Sequence, residues 1–320
     1  MIFARLAAPA VDRPAGVAVV SVMALVMVCA ALAAAVMWKS NLSLSRTENQ
    51  RDAAQARWIA RAAVDYARWV LAADTAGLDP AANTLMDHLY EPWAQKIPMT
   101  SLDQLFESRT AGLTQQDLKL AGFGGQVTDE QARFNLGRMV FGSQLDPKEV
   151  RRLELLLELI GLKSTQIAEL IQALQKVAIS DATAPLQQPR HRAIEQVIAG
   201  LRISEDQRQR LGAAITWLPR STPVNVNTAS PEVIAVMVGG GGPAIVERLI
   251  QARQRAPFRD LAEINAALAG TIPVSSNELD VKSSFFRAEG HARFGRLELG
   301  FQALLMRQGR QVMILDYREN

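Results

Sequence analysis

Scarcity says the most about this 320-residue chain at first sight. There is one cysteine, Cys29, so no intramolecular disulfide can form. It lies in the most apolar stretch and reads as a small hydrophobe. Three histidines, His88, His191 and His291, stand far apart without ligand spacing, which argues against a zinc site of histidine and cysteine. The formal charge is only +3, too small by itself to point to nucleic acid or to an acidic membrane surface. No base, nucleophile or metal cluster converges along the sequence, so an enzyme is not expected. Repeats and low-complexity tracts are missing too. What remains is ordinary: 49% hydrophobic and 21% charged residues describe a folded chain, long enough for two or three modest domains.

The N-terminal region lacks charge, then glycine and proline. No charged residue occurs from Pro14 to Trp38, and Val17 to Trp38 would form a helix of about 33 Å, enough to cross a bilayer. Arg5 and Arg13 precede it, Lys39 and Arg46 follow it, and this weak bias leaves orientation open. Three readings compete: a signal peptide cut near Ala33-Ala34-Ala35, a plain signal anchor, and an anchor whose basic leader is trimmed after Arg13-Pro14-Ala15-Gly16. Glycine there would leave an extended backbone accessible to a peptidase. The sequel favours the last reading. Neither glycine nor proline occurs from Val17 to Ala76, and Trp58, Ala62, Tyr66, Trp69 and Val70 recur at helical spacing as one apolar stripe. Membrane helix and amphipathic helix are expected to be continuous over about 80 Å, and a cleaved signal peptide has no reason to continue this way.

Beyond Gly77-Leu78-Asp79-Pro80, a short helix and loop are expected from Leu85 to Ile97, and short strands or a strand and turn over Val127–Leu136. Asp146-Pro147 opens a helix with Val150, Leu153, Leu156, Leu157 and Ile160 on one face, stopped by Gly161. Ser164 or Thr165 caps the next. Residues 181–190 read as a loop, followed by helices over His191–Leu201 and Ser204–Trp217. The last forty or so residues alternate as an antiparallel meander turning at Gln308-Gly309-Arg310. The class is α+β.

The segment most suggestive of chemistry is Asn225-Val226-Asn227-Thr228-Ala229-Ser230-Pro231-Glu232. A short strand leads into a helix capped by Thr228 or Ser230, with Pro231 in its first turn. Gly239, Gly240, Gly241 and Gly242 follow, and Pro243 opens a second helix. Gly239, Gly241, Ala244 and Asp260 formally fit a dinucleotide fingerprint, but no parallel strand follows, and no Lys-Ser/Thr follows the glycines for a P-loop. Two readings stay open for this helix-hairpin-helix. Its glycine turn could hold a phosphate helped by Arg248, Arg253, Arg255 and Arg259, or it is a tight turn that needs positive φ.

In this order the segments resemble the K-type minor pseudopilins of type II secretion, also called general secretion pathway protein K. Gly16-Val17-Ala18-Val19-Val20 resembles the family's leader junction, and Asp129-Glu130-Gln131-Ala132-Arg133-Phe134-Asn135-Leu136 its "D-E-x-x-R-F-N-L" segment. Asn225 to Ile234 resembles "N-V-N-T-A-x-P-E-V-L", Arg253 with Pro257-Phe258 the "R…P-F" that follows, and Ser283-Ser284-Phe285-Phe286 the late "S-x-x-F" strand.

The resemblance implies a prepilin leader over 1–16 cut between Gly16 and Val17, a transmembrane helix over 17–38 and a stalk over 39–76. It implies a pilin-like α/β core from 77–140 and 273–320, interrupted by an inserted all-α, SAM-like domain over 141–272 with its hairpin at 224–264. Partners would be I- and J-type minor pseudopilins, the major pseudopilin and prepilin peptidase, in a single-pass protein of the bacterial inner membrane with its body in the periplasm. Pilins and major pseudopilins carry glutamate at the fifth mature position, where it neutralises a neighbour's N-terminus. Here that position is Ser21, a departure the K members share, which implies a place at the pseudopilus tip. The family's calcium-binding acidic loop is not matched. Val177-Ala178-Ile179-Ser180-Asp181-Ala182-Thr183 stands there without the acidic-tyrosine pattern, so reduced or absent calcium binding is expected, no other cofactor is implied, and no catalytic residue. The same N-V-N-T-A pattern occurs in membrane-anchored helix-hairpin-helix DNA receptors of competence systems. They are shorter, and they leave the helical block and meander unexplained, so nucleic acid is not the expected partner.

Overall fold

Without a glycine or proline to interrupt it, the N-terminal run folds as one helix, α1 (Ala15–Ala76). The computed structural model describes residues 15–76, 86–105, 114–141, 144–183, 190–239, 242–269 and 274–319. They form two units, one ending at Gln55 and one running from Ala56 to the C-terminus. In the first, α1 is long and apolar enough to cross a membrane, and its side chains from Val19 to Gln50 are exposed throughout. Gly16 and Val17 lie in the first turn of α1, so the backbone there is helical and not extended as expected.

In the second unit α1 lies on an antiparallel sheet. β1 (Ile97–Ser101), β2 (Ala121–Asp129), β3 (Phe285–Phe294), β4 (Leu297–Gln308) and β5 (Gln311–Glu319) follow one another across it. The helix face buried against the sheet is Ala56, Ala60, Ala63, Ala67 and Leu71 with Ile59 and Val64, packed on Phe123, Phe286, Phe301 and Leu305. Four alanines let the helix axis approach the large sheet residues closely. The apolar stripe read from sequence is not this face: Trp58 (67% exposed), Tyr66 and Trp69 (63%) face outward, and Val70 is half-buried. Period alone could not choose between two stripes on one helix.

β2 and β3 are adjacent and antiparallel, with Asp129 opposite Phe286 and Ala121 opposite Phe294. A plain hairpin turn could join them. Instead the chain leaves at Glu130 and returns at Ser284, an excursion that opens earlier and closes later than 141–272. It holds the helices α2 (Pro147–Ile160), α3 (Ser164–Thr183), α4 (Arg190–Gly200), α5 (Glu205–Ala214), α6 (Pro231–Met237), α7 (Pro243–Arg255) and α8 (Leu261–Ala267). Their core is a second apolar cluster around Phe134, Leu153, Leu157, Leu170, Trp217, Val233 and Leu249. Asp146 caps α2 through the Lys148 N–H, Pro147 takes its first position, and Gly161 ends it at φ 93°. At the start of α3 neither expected hydroxyl is the cap, since the helix already includes Ser164; Gln166 Oε1 accepts from the Lys163 N–H instead. Two parallel strand contacts tie the block together, Phe134-Asn135 with Ile215-Thr216 and Val224-Asn225 with Leu279-Asp280.

Glycine is required at several positions of β2 and β3, most tightly at Gly290. Gly290 on β3 faces Gly125 on β2, and a Cβ there would sit 2.2 Å from the Gly124 carbonyl oxygen and 2.8 Å from the Gly125 Cα. Both are backbone atoms of a paired strand and cannot step aside singly. Gly290→Ala is expected to cost about 1–3 kcal/mol by overpacking, read as a lower denaturant midpoint at unchanged m-value.

Candidate functional site

The segments singled out in sequence meet at one place, the joint between the sheet and the helical block. Asp129, the last residue of β2, is buried, and its carboxylate has four donors. Oδ2 accepts from Thr228 Oγ1 (2.6 Å), Ser283 Oγ (2.6 Å) and Asn225 Nδ2 (3.0 Å), and Oδ1 accepts from the Gln131 N–H (2.7 Å). Asn225 also donates to the Asp87 carbonyl at 3.0 Å, and Asn227 clasps the Phe258 backbone from both sides. Thr228 is therefore spent on Asp129, and Ser230 is the cap of α6, with Pro231 at its first position. The asparagines of the motif close the joint instead of presenting groups to a ligand.

Two charged clusters flank this joint. Glu130, fully buried, lies between Arg133 (2.9 Å) and Arg287 (2.7 Å) and accepts from the Thr216 hydroxyl. Burial pushes its carboxyl up, but Arg133 and Arg287 outweigh burial and hold it below the ordinary range. On the other side Arg307, 3% exposed, reaches Asp74 at the end of α1 (3.0 Å), Asp87 and the Ser283 carbonyl (3.0 Å). Its guanidinium lies over the Phe286 ring, 4.7 Å from the centroid. Asp74, Asp87 and Glu91 each bring a carboxylate oxygen within 4.8 Å of the others. Those oxygens already serve Arg307, the Ser283 N–H and the Trp93 indole, so they make a charge cluster and not the six to eight free oxygens that calcium takes. At 177–183 helix α3 continues to Thr183, and the side chains beyond Ala178 lie outside the described residues. Ser180, Asp181 and Thr183 are too few donors for that ion.

The two described glycines of the hairpin have the positive φ of a tight turn. Gly239 has φ 69° and Gly242 φ 84°; Gly240 and Gly241 lie outside the described residues. Arg253 donates to the Val226 (2.7 Å) and Ala229 (2.6 Å) carbonyls, which stitches α7 to the N-V-N-T-A loop and leaves it no hand for a phosphate. Arg248, Arg255 and Arg259 are exposed around short helices. Of the leader expected over 1–16, residues 1–14 lie outside the described residues, and nothing is described of the Gly16 and Val17 side chains. Ser21 is on the exposed surface of α1.

A further surface, missed in sequence, is a groove of about 770 Å³ beside α1. Tyr66, Trp69 and Val70 form one wall, Trp93 and Ile97 another, and Phe123 and Phe301 the floor. Only the exposed residues of the stalk could have signalled it, since its other walls are remote in sequence.

Such a molecule has one long helix, α1, whose first part is long and apolar enough to cross a membrane and whose last part packs on an antiparallel sheet, with a helical block between β2 and β3. It is similar to K proteins of type II secretion. Residues 224–282, the N-V-N-T-A hairpin and the return to the sheet, match the family model of type II secretion system (T2SS), protein K. Type II secretion system protein K of Pseudomonas aeruginosa is 27% identical over 261 residues, 76% of this chain and 74% of that protein. The fold is shared with a chain of the GspK-GspI-GspJ complex of the enterotoxigenic Escherichia coli type 2 secretion system (TM-score 0.59, 17% identity, 86% of this chain and 99% of that one).

Proposed function

We propose that this chain is the K-type minor pseudopilin of a type II secretion system, a structural subunit of the pseudopilus tip that supports protein export across the outer membrane. It is held in the bacterial inner membrane by α1, with its body in the periplasm. The observation that carries this is the unbroken α1: one helix supplies both an apolar span and the packing face of the sheet. The leader would be cut between Gly16 and Val17 by a prepilin peptidase. Ser21, the fifth mature residue, then offers no carboxylate to a preceding subunit, which fits a first position in the filament. Its relative's assembly with I and J proteins supports I- and J-type minor pseudopilins as neighbours, with the major pseudopilin below them.

The contact surface on this chain is the outward aromatic face of α1. Trp58 and Trp69 lie three turns apart on one side of the helix, and exposed aromatics are common anchors of interfaces. The double variant Trp58→Ala/Trp69→Ala is expected to weaken co-purification of the full chain with its co-expressed I- and J-type partners at least tenfold, about 1.4 kcal/mol or more, with the unfolding midpoint unchanged. Undiminished complex formation would remove this face from the interface.

A further inference from the structure

The cluster around Arg307 is short of positive charge. Four carboxylates gather here around one guanidinium's two partners. Asp74 from α1 and Asp87 from the loop before β1 pair with it, Glu91 of the same loop brings an oxygen within 4.8 Å of both, and Asp129 at the end of β2 repels Asp87. Arg307 itself comes from β4 and satisfies Asp74 and Asp87 directly. Asp129 has only neutral donors, from Asn225 and Thr228 of the helical block, Ser283 before β3 and the Gln131 N–H. Glu91 also has only neutral donors, the His88 N–H (3.0 Å) and the Trp93 indole N–H (2.5 Å). Among the described residues Asp87 on the same loop and Asp74 also face it, and His88 has its ring Nε2 3.9 Å from Glu91 Oε1. With every acid ionised and the imidazole neutral, these described groups hold four negative charges against the one positive charge of Arg307.

We propose that this joint is a proton-held latch between the end of the stalk helix, the loop before β1 and the sheet: tight while Glu91 carries a proton, looser once all four carboxylates are charged. Geometry makes Glu91 the switch. Trp93, which it holds, packs edge-on to Phe286 (5.2 Å between centroids), and Phe286 lies beneath Arg307. Trp93 also lines the groove beside α1, so the latch fixes a wall of that groove.

Electrostatics agrees with the geometry. Burial pushes Glu91 up to about 7, partly opposed by the His88 N–H and reinforced by Asp74. Burial likewise raises Asp87 to about 6, against the pull of Arg307 and with the repulsion of Asp129 added. Asp74 and Asp129 are raised too, chiefly by burial. His88 is pushed below its ordinary value by burial, so it supplies no cation at neutral pH.

The sign follows from linkage. A carboxyl raised in the closed state stabilises that state fully below its ordinary value of 4.5, and this stabilisation is lost as pH rises through about 7. The latch should therefore weaken between pH 5 and 7 and change little above that. The consequence does not depend on the secretion reading, because it concerns only how the body holds itself together.

Hydrogen exchange on the full chain in detergent, from pH 5 to 8 and corrected for intrinsic rates, tests it. Amides of Ala72–Asp74 and Asp87–Trp93 are expected to lose about tenfold or more protection between pH 5 and 7. Glu91→Gln should remove the part of the profile nearest pH 7 and leave the shallower slope that Asp87 contributes below about 6. Asp74→Asn, which removes a charge that raises Glu91, should keep the transition and move it to lower pH. A flat wild-type profile overturns the latch, as does a Glu91→Gln chain with the wild-type slope. Should Glu91→Gln fail to fold, the test rests on Asp74→Asn, and an unshifted transition there is equally fatal.

Discussion

Arg307→Met is expected to destabilise the body by about 3–5 kcal/mol, the usual result of removing one partner of a buried ionic cluster. Methionine keeps an apolar stem but not the guanidinium over the Phe286 ring, so the loss combines that contact with the two ion pairs. Without it Asp74 and Asp87 face each other with no cation, and the Ser283 carbonyl loses a donor. Part of the deficit would be relieved by protonation, so the variant should suffer most at high pH. Denaturant unfolding at pH 5.5 and 8 measures both the size and the direction. Arg307→Lys should recover only a fraction, because a point charge on a flexible stem cannot bridge two carboxylates and a carbonyl together.

Glu130→Ala is the second large effect, again about 3–5 kcal/mol, since it leaves Arg133 and Arg287 facing each other across a buried site. Its pH dependence runs opposite to that of the latch. The folded carboxyl lies below its ordinary value, so its stabilisation is present above about 4.5 and disappears as pH falls through the lowered value. Wild-type stability should therefore decline at strong acid through Glu130, and from pH 5 upward through Glu91. Glu130→Gln should flatten the acid side alone, which equilibrium unfolding across pH 2.5–5 would reveal.

The two clusters also explain what sequence could convey. Helix punctuation was plain because it is local: Asp146-Pro147 and Gly161 bound α2, and Ser230-Pro231 opens α6. The unbroken α1 was equally legible, since only glycine or proline would have stopped it. Which side of α1 meets the sheet was not. Alanine carries little signal in a periodicity reading, yet Ala56, Ala60, Ala63 and Ala67 are the buried face because they permit close approach. The motifs could be recognised without their purpose being visible. Asp129 and Thr228, or Gln131 and Ser284, are far apart in the chain, and only the fold brings them together. For the same reason the two readings of the hairpin, phosphate site or tight turn, stayed open in sequence, since Arg253's place on the carbonyls of Val226 and Ala229 is set by the fold. The helical block's extent was blurred because its entrance, Glu130 to Asn135, reads as strand and turn while packing with the helices.

The central claim is that α1 is a pseudopilin stalk and its first residues a processed leader. The intact mass of the protein extracted from membranes, with and without prepilin peptidase, tests it most directly. A chain beginning at Val17 only when the peptidase is present is the expected result. A soluble product beginning near Val36 would contradict it, since that chain would have lost its anchor and entered the periplasm as an ordinary exported protein.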